Sequence, residues 1–312
     1  MIAAIQPDKI LRELNEQWDQ LDLEQASSGG VLRACAMTLM VTARDDAEAE
    51  RVRRILGVLM HEHPSRAVIL KVREGAEFEA RVFAECWKPF GSAQQICAEG
   101  VEIVSDSAQL EDAAQLLVPL KVPDLPSVLW CRGADAFQLR SFDLLFPLAD
   151  KIIVDSSTLP HAAASLGFLR NLRARGLRVA DLHWTRLTGW REILAHLFDD
   201  EAMRPTDIVS ARITYGGATP STCALYFSSW IENALPQARV SLAAETGPPG
   251  LRSVTFASGT CELLLRRDGS SIQVTGCGRN YHSPLAPMDE EALMREELKF
   301  LGPDPVFEQV LG

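Results

Sequence analysis

The stretch Asp181-Leu-His-Trp-Thr-Arg-Leu-Thr-Gly-Trp-Arg-Glu192 packs two tryptophans, two arginines, two acids, a histidine and two threonines into twelve residues. Arginine and tryptophan concentrate in contact hot spots, so Asp181, Trp184, Thr185, Arg186 and Arg191 are candidates for a recognition surface. Three smaller constellations sit where helices and strands meet. His63-Pro-Ser65-Arg66 is a turn whose serine and arginine can hold an anion, or a helix stop whose arginine makes a structural pair. Asp124, with Trp130-Cys-Arg132-Gly133, sets an arginine at the carboxyl end of a buried strand, where open α/β sheets bind ligands. A structural ion pair for Arg132 is an equal alternative. Asp155-Ser156-Ser157 follows another strand, either as part of the same site or as a helix cap and nothing more. Together these groups offer the arginines and carboxylates that a small anionic ligand such as a sugar phosphate would need.

Catalytic signatures are missing. There is no P-loop lysine signature, and Gly276-Cys-Gly278 lacks the third glycine and the strand–helix context of a dinucleotide fingerprint. His61-Glu-His63 has the wrong spacing for a zincin, and no Ser/His/Asp set sits in a nucleophile elbow. No catalytic residue and no cofactor is therefore expected. Seven scattered cysteines form no C-x-x-C pair and mostly lie in apolar runs. They read as buried thiols in a reducing cytoplasm, with no zinc site. A net charge of −11 excludes a general nucleic-acid binder. No apolar run approaches the ~20 residues of a membrane span, and the first residues lack the basic start of a secretory signal.

The elements that must position these groups follow from periodicity. Ile10, Leu14, Trp18 and Leu21 mark an acidic amphipathic helix over 8–24, which docks on the chain's own surface or on a partner, ahead of a linker at 27–30. Val31–Thr42 reads as one central strand. Asp45 caps a helix with the stripe Val52, Ile55, Leu56, Leu59 and Met60, and Arg66–Val72 is the next buried strand. Phe78–Trp87 and Gln94–Ser105 alternate as antiparallel partners. Helices at Leu110–Leu120, Ala134–Leu148 and Ala162–Arg175 interleave with strands at Ser127–Cys131 and Lys151–Val154. Beyond Gly176, Thr188 caps a helix that buries Trp190, Ile193, Leu194, Leu197 and Phe198. A strand Ile208–Tyr215, a helix Thr222–Leu235, four short strands within 238–276 and a helix Met288–Leu301 follow. The expectation is an N-terminal α/β domain with a largely parallel or mixed sheet, then a smaller α+β domain. Its boundaries are 1–30 for the helix and linker, 31–178, and 179–312.

Several segments resemble one family, the glucose-6-phosphate dehydrogenase assembly proteins, or OpcA-type subunits. They are His63–Ala67, Pro119 with Val122–Pro126, Leu129–Gly133, Ala149–Ser156 and Asp181–Leu194, in the family's order. The resemblance implies a bacterial, non-catalytic partner that promotes assembly and allosteric activation of glucose-6-phosphate dehydrogenase, at the entry of the oxidative pentose phosphate pathway. The chain departs from the family's pattern at Gly189, where proline is common, and at Cys131, where a second tryptophan is. Redox control, discussed for cyanobacterial relatives, is not carried over, because no vicinal cysteines are present.

Overall fold

Met37–Ala43 (β2) is buried at every position, as a strand sandwiched between helical layers must be. In the computed structural model, which describes residues 6–25, 30–88, 91, 95–132, 140–159, 161–199 and 204–312, it lies inside an eight-stranded sheet. Its companions are Val31–Arg33 (β1), Ser65–Val72 (β3), Glu79–Trp87 (β4), Gln95–Ser105 (β5), Ser127–Trp130 (β6), Lys151–Val154 (β7) and Val179–Asp181 (β8). The order is β1-β5-β3-β2-β6-β7-β8, with β4 antiparallel on β5. The pairs β2–β3, β2–β6, β3–β5 and β6–β7 are parallel. The chain forms two units, one of Met1–Val154, Leu177–Val179 and Met294–Leu301, the other of Asp155–Gly176, Ala180–Leu293 and Gly302–Gly312.

In the first unit, Pro7–Gln25 (α1) buries Ile10, Leu14 and Trp18 against β4, β1 and Leu110–Leu120 (α3). Of the two docking choices read from its stripe, it takes the chain's own surface. Asp46–Leu59 (α2) starts at the expected cap, the Asp45 carboxylate accepting from the Glu48 amide at 2.8 Å. The single strand expected over 31–42 is two strands. β1 pairs with β5, whereas β2 pairs with β3 and β6, and one straight segment cannot do both. The chain steps across at Ala34–Ala36, where the Ala34 amide donates to Cys97 and the Ala36 amide to Pro64. Part of the linker expected at 27–30, the Gln94 start of the fifth strand and the first half of the helix expected over 134–148 lie outside the described residues. The described remainder of that helix is two short 3-10 turns, Arg140–Leu144 and Phe146–Leu148.

The second unit is a six-stranded mixed sheet with helices. Its strands are Ile208–Gly216 (β9), Arg239–Glu245 (β10), Gly250–Ser258 (β11), Glu262–Asp268 (β12), Ser271–Gly276 (β13) and Arg279–Pro284 (β14), in the order β10-β9-β11-β12-β13-β14. Its helices are Ala162–Ala174 (α4), Leu182–Thr185 (α5), Thr188–Phe198 (α6) and Thr222–Ala234 (α7). Glu290–Leu298 (α8) follows the last strand, and Pro305–Leu311 (α9) packs on α7. Three expectations need correction. Thr188 is a helical residue and not a cap: α6 runs on from Leu187, whose carbonyl accepts from the Arg191 amide, and the Thr188 hydroxyl accepts from the Arg191 guanidinium. The closing helix ends at Leu298, and a separate one begins at Pro305. β14 went unread because its residues are polar and largely exposed, with no alternation to betray a strand.

Candidate functional site

Asp181 is fully buried. Its Oδ1 accepts the backbone amides of Ser156 and His183, at 3.0 and 2.9 Å, and its Oδ2 accepts the Tyr226 hydroxyl at 2.7 Å. One carboxylate thus caps α5 and fastens α7 and the turn after β7 to it. Burial pushes its pKa up against those hydrogen bonds. Burial, and then the neighbouring Asp181, also raise that of Tyr226. The Ser156 hydroxyl lies 3.2 Å from His183 Nδ1, and burial lowers the His183 pKa to about 4, so the ring is neutral near pH 7. Serine, histidine and aspartate meet here without forming a hydrolytic triad. Asp181 reaches the pair through backbone amides and not through the imidazole, and Ser156, 2% exposed, is out of a substrate's reach.

The arginines of the same stretch are half-buried and engaged with their own fold. Arg186 grips Asp155 with two parallel bonds of 2.8 and 2.7 Å, the bidentate geometry that makes such pairs strong. Burial favours the neutral Asp155, but the Arg186 charge and hydrogen bonds outweigh it and hold its pKa low. Asp155 also caps the next turn through the Ser157 amide. Arg191 lies 3.9 Å over the Trp184 ring. Trp184, expected on a recognition surface, is instead only 3% exposed. Its Nε1 donates to Asp304, and its ring stacks on Phe307 at 5.5 Å and meets Tyr226 edge-on. Thr185 donates to the Asp181 carbonyl. Trp190 is core, as its place on the apolar stripe implied.

The two arginine candidates of the first unit are likewise engaged. Arg66 is buried between the Leu120 carbonyl and Glu99, a 2%-exposed carboxylate that also accepts from Trp18 Nε1 and Arg33. Those three donors hold the Glu99 pKa down against its burial. His63 Nε2 and the Ser65 hydroxyl are buried without a hydrogen-bond partner among the described residues. Asp124 sits exposed in a turn with φ of 62°, a backbone that aspartate tolerates better than most residues. Arg132 lies over the Trp130 ring at 5.0 Å and pairs with Glu48 at 3.2 Å, while its amide donates to the Thr42 hydroxyl. The turn from β2 into α2 carries three acids, Asp45, Asp46 and Glu48.

Glu48, Glu99, Tyr226, Asp304 and Phe307 were not read as site residues. Asp304-Pro305 was the one legible signal, a capping acid before a first-turn proline. The reading of all seven cysteines as thiols is also corrected. Cys86 bonds Cys97, its direct partner across β4–β5, and Cys261 bonds Cys277. Burial pushes the free thiols Cys131 and Cys223 up to about 12. Among the described residues no His, Cys, Asp and Glu cluster could hold a metal, and no helix is long and apolar enough to cross a membrane.

Residues 57–173 match the family described as the N-terminal domain of a glucose-6-phosphate dehydrogenase subunit, and residues 177–311 match its C-terminal domain. The OxPP cycle protein OpcA of Nostoc punctiforme is 28% identical over 210 residues, 66% of this chain and 45% of that protein. OpcA of Synechococcus elongatus is 30% identical over 206 residues, 64% of this chain and 46% of that protein. The match thus spans under half the length of each relative. Among solved structures, the 3-ketoreductase KijD10 of Actinomadura kijaniata aligns over 90% of this chain and 94% of its own, at 10% identity and a TM-score of 0.48, a likeness too loose to carry an argument. Both halves match the two domains of one subunit, in order, so the chain belongs to the OpcA family of glucose-6-phosphate dehydrogenase subunits.

Proposed function

We propose that this chain is a non-catalytic subunit that binds glucose-6-phosphate dehydrogenase and promotes its assembly and activation by protein–protein contact. The observation that carries the reading is the family match in both halves of the chain. The geometry supports it from the other side. Arg66, Arg132 and Arg186 each serve a carboxylate of the fold, and Arg191 an indole ring. A sugar-phosphate enzyme or sensor would need such arginines free to meet its ligand. His63, Ser65, Asp124 and Trp130 add no convergent site. The residues of the Asp181–Glu192 stretch then act by shaping the domain that the partner meets, and the contact itself belongs to exposed groups elsewhere.

The test mixes the purified chain with its cognate glucose-6-phosphate dehydrogenase and reads the enzyme's rate and its size by sedimentation. A higher rate with a larger sedimenting species is expected. Independent migration at micromolar concentration with an unchanged rate sinks the proposal.

A further inference from the structure

The strands β5-β3-β2-β6-β7-β8 stand in the order 3-2-1-4-5-6 of a dinucleotide-binding sheet, with β2 as the first strand and the switch point between β2 and β6. In that fold the pyrophosphate rests on the helix after the first strand, and its turn reads G-x-G-x-x-G. Here the same spacing falls on Ala43, Asp45 and Glu48. The second position needs a residue without a side chain, so that backbone and phosphate can approach. Asp45 instead places its own carboxylate on the Glu48 amide at 2.8 Å, taking the donor a phosphate oxygen would use. Glu48 holds the Arg44 amide at 2.7 Å and reaches across the switch point to Arg132 at 3.2 Å, tying the start of α2 to the end of β6. At the end of β3, where such folds recognise the ribose or its phosphate, Lys71 is already bound to Asp46 and Glu102, each at 2.6 Å. Both its carboxylates raise its pKa against burial, so it stays charged within that pair.

We infer that the first unit is a dinucleotide fold whose cofactor crevice has become an internal clamp, so that this chain binds neither NADP+ nor NADPH there. Three carboxylates occupy the ground of the pyrophosphate, and an incoming phosphate would have to displace Asp45 while facing Asp46 and Glu48. The Glu48–Arg132 and Asp46–Lys71–Glu102 pairs tie α2 to the end of β6 and to β3 and β5. The inference goes beyond the assembly reading and stands without it. It has a consequence for that reading: a response of an assembled complex to the NADPH/NADP+ ratio does not arise at this crevice.

The test uses the full chain alone. NADPH and NADP+ at ~1 mM are titrated while the unfolding temperature and NADPH fluorescence are followed, since a ligand well above its dissociation constant must stabilise the folded state. No shift and no saturable change in fluorescence are expected; a rise of several degrees, or saturation, overturns the inference. The clamp is tested separately with Glu48→Gln, Arg132→Ala and the double variant. Losses in unfolding temperature that fail to add identify the bridging pair, and strictly additive losses overturn it.

Discussion

The Tyr226 hydroxyl donates to Asp181 Oδ2 across 45 residues of sequence, joining α7 to the carboxylate that caps α5. Replacing Asp181 with alanine strands that hydroxyl and two backbone amides in the interior. At ~1–3 kcal/mol for each of the three unsatisfied groups the loss is about 3–9 kcal/mol. Asp181→Asn keeps an oxygen for the two amides and lets Tyr226 turn from donor to acceptor, at a cost of about 1–2 kcal/mol. Urea unfolding of the two variants checks the order. Equal losses would mean that charge, and not the hydrogen-bond geometry, is what matters at this position.

Arg186 and Asp155 predict a second ordering. Arg186→Lys keeps the charge but not the two-pronged contact, and should lose nearly as much stability as Arg186→Gln, about 1–3 kcal/mol. A lysine variant as stable as the wild type would show that a point charge suffices. The same contact bears on any partner assay, because an alanine here loosens the domain before it touches a binding surface.

How much of this was legible in the sequence varied with range. β2, β3, β6 and β7 announced themselves as apolar runs, and Asp45 announced α2, because those signals lie within one element. Asp181 was singled out for its company in the chain, yet its function comes from Ser156 and Tyr226, 25 and 45 residues away. Glu99 reads as an ordinary polar strand residue until Trp18, Arg33 and Arg66 arrive from three other segments. The stretch 181–192 carried the composition of an interface; its tryptophans pack inward, and its half-buried arginines are held by Asp155 and the Trp184 ring. Composition records what a stretch can bind and leaves open whether its own fold binds it first.

His183 gives the pH dependence a sign. Its folded pKa of about 4 lies below the unfolded 6.5, so between those values the unfolded chain holds the extra proton. Stability is therefore full above pH ~6.5 and falls as the pH drops toward 4, by on the order of 3 kcal/mol from this group. Asp155, whose pKa is depressed below 3.8, adds a loss at still lower pH. His183→Asn should flatten the decline between pH 6.5 and 4.5 in denaturant titrations. An unchanged slope would assign it to other groups.

Reduction should destabilise the protein in two parts. Cys86–Cys97 and Cys261–Cys277 close loops of 11 and 16 residues of sequence separation, each worth up to ~3 kcal/mol in the chain-entropy account. Cys86→Ser and Cys261→Ser should each remove part of the fall in unfolding temperature caused by a phosphine reductant, and the pair of variants should remove it all. A reductant effect that survives in the double variant would contradict the assignment.

Lys151, at the start of β7, holds the Glu297 carboxylate at 2.6 Å and the carbonyls of Glu297 and Phe300. The first unit therefore contains a segment made almost last. During synthesis at ~5–20 residues per second, its parallel sheet waits on the order of ten seconds or more after β7 emerges before Lys151 meets its partners. The whole of the second unit's sheet is made in that interval. The unit begun first thus waits for one of the last segments to be made, and a chain released before Glu297 would be left with a buried lysine without these partners.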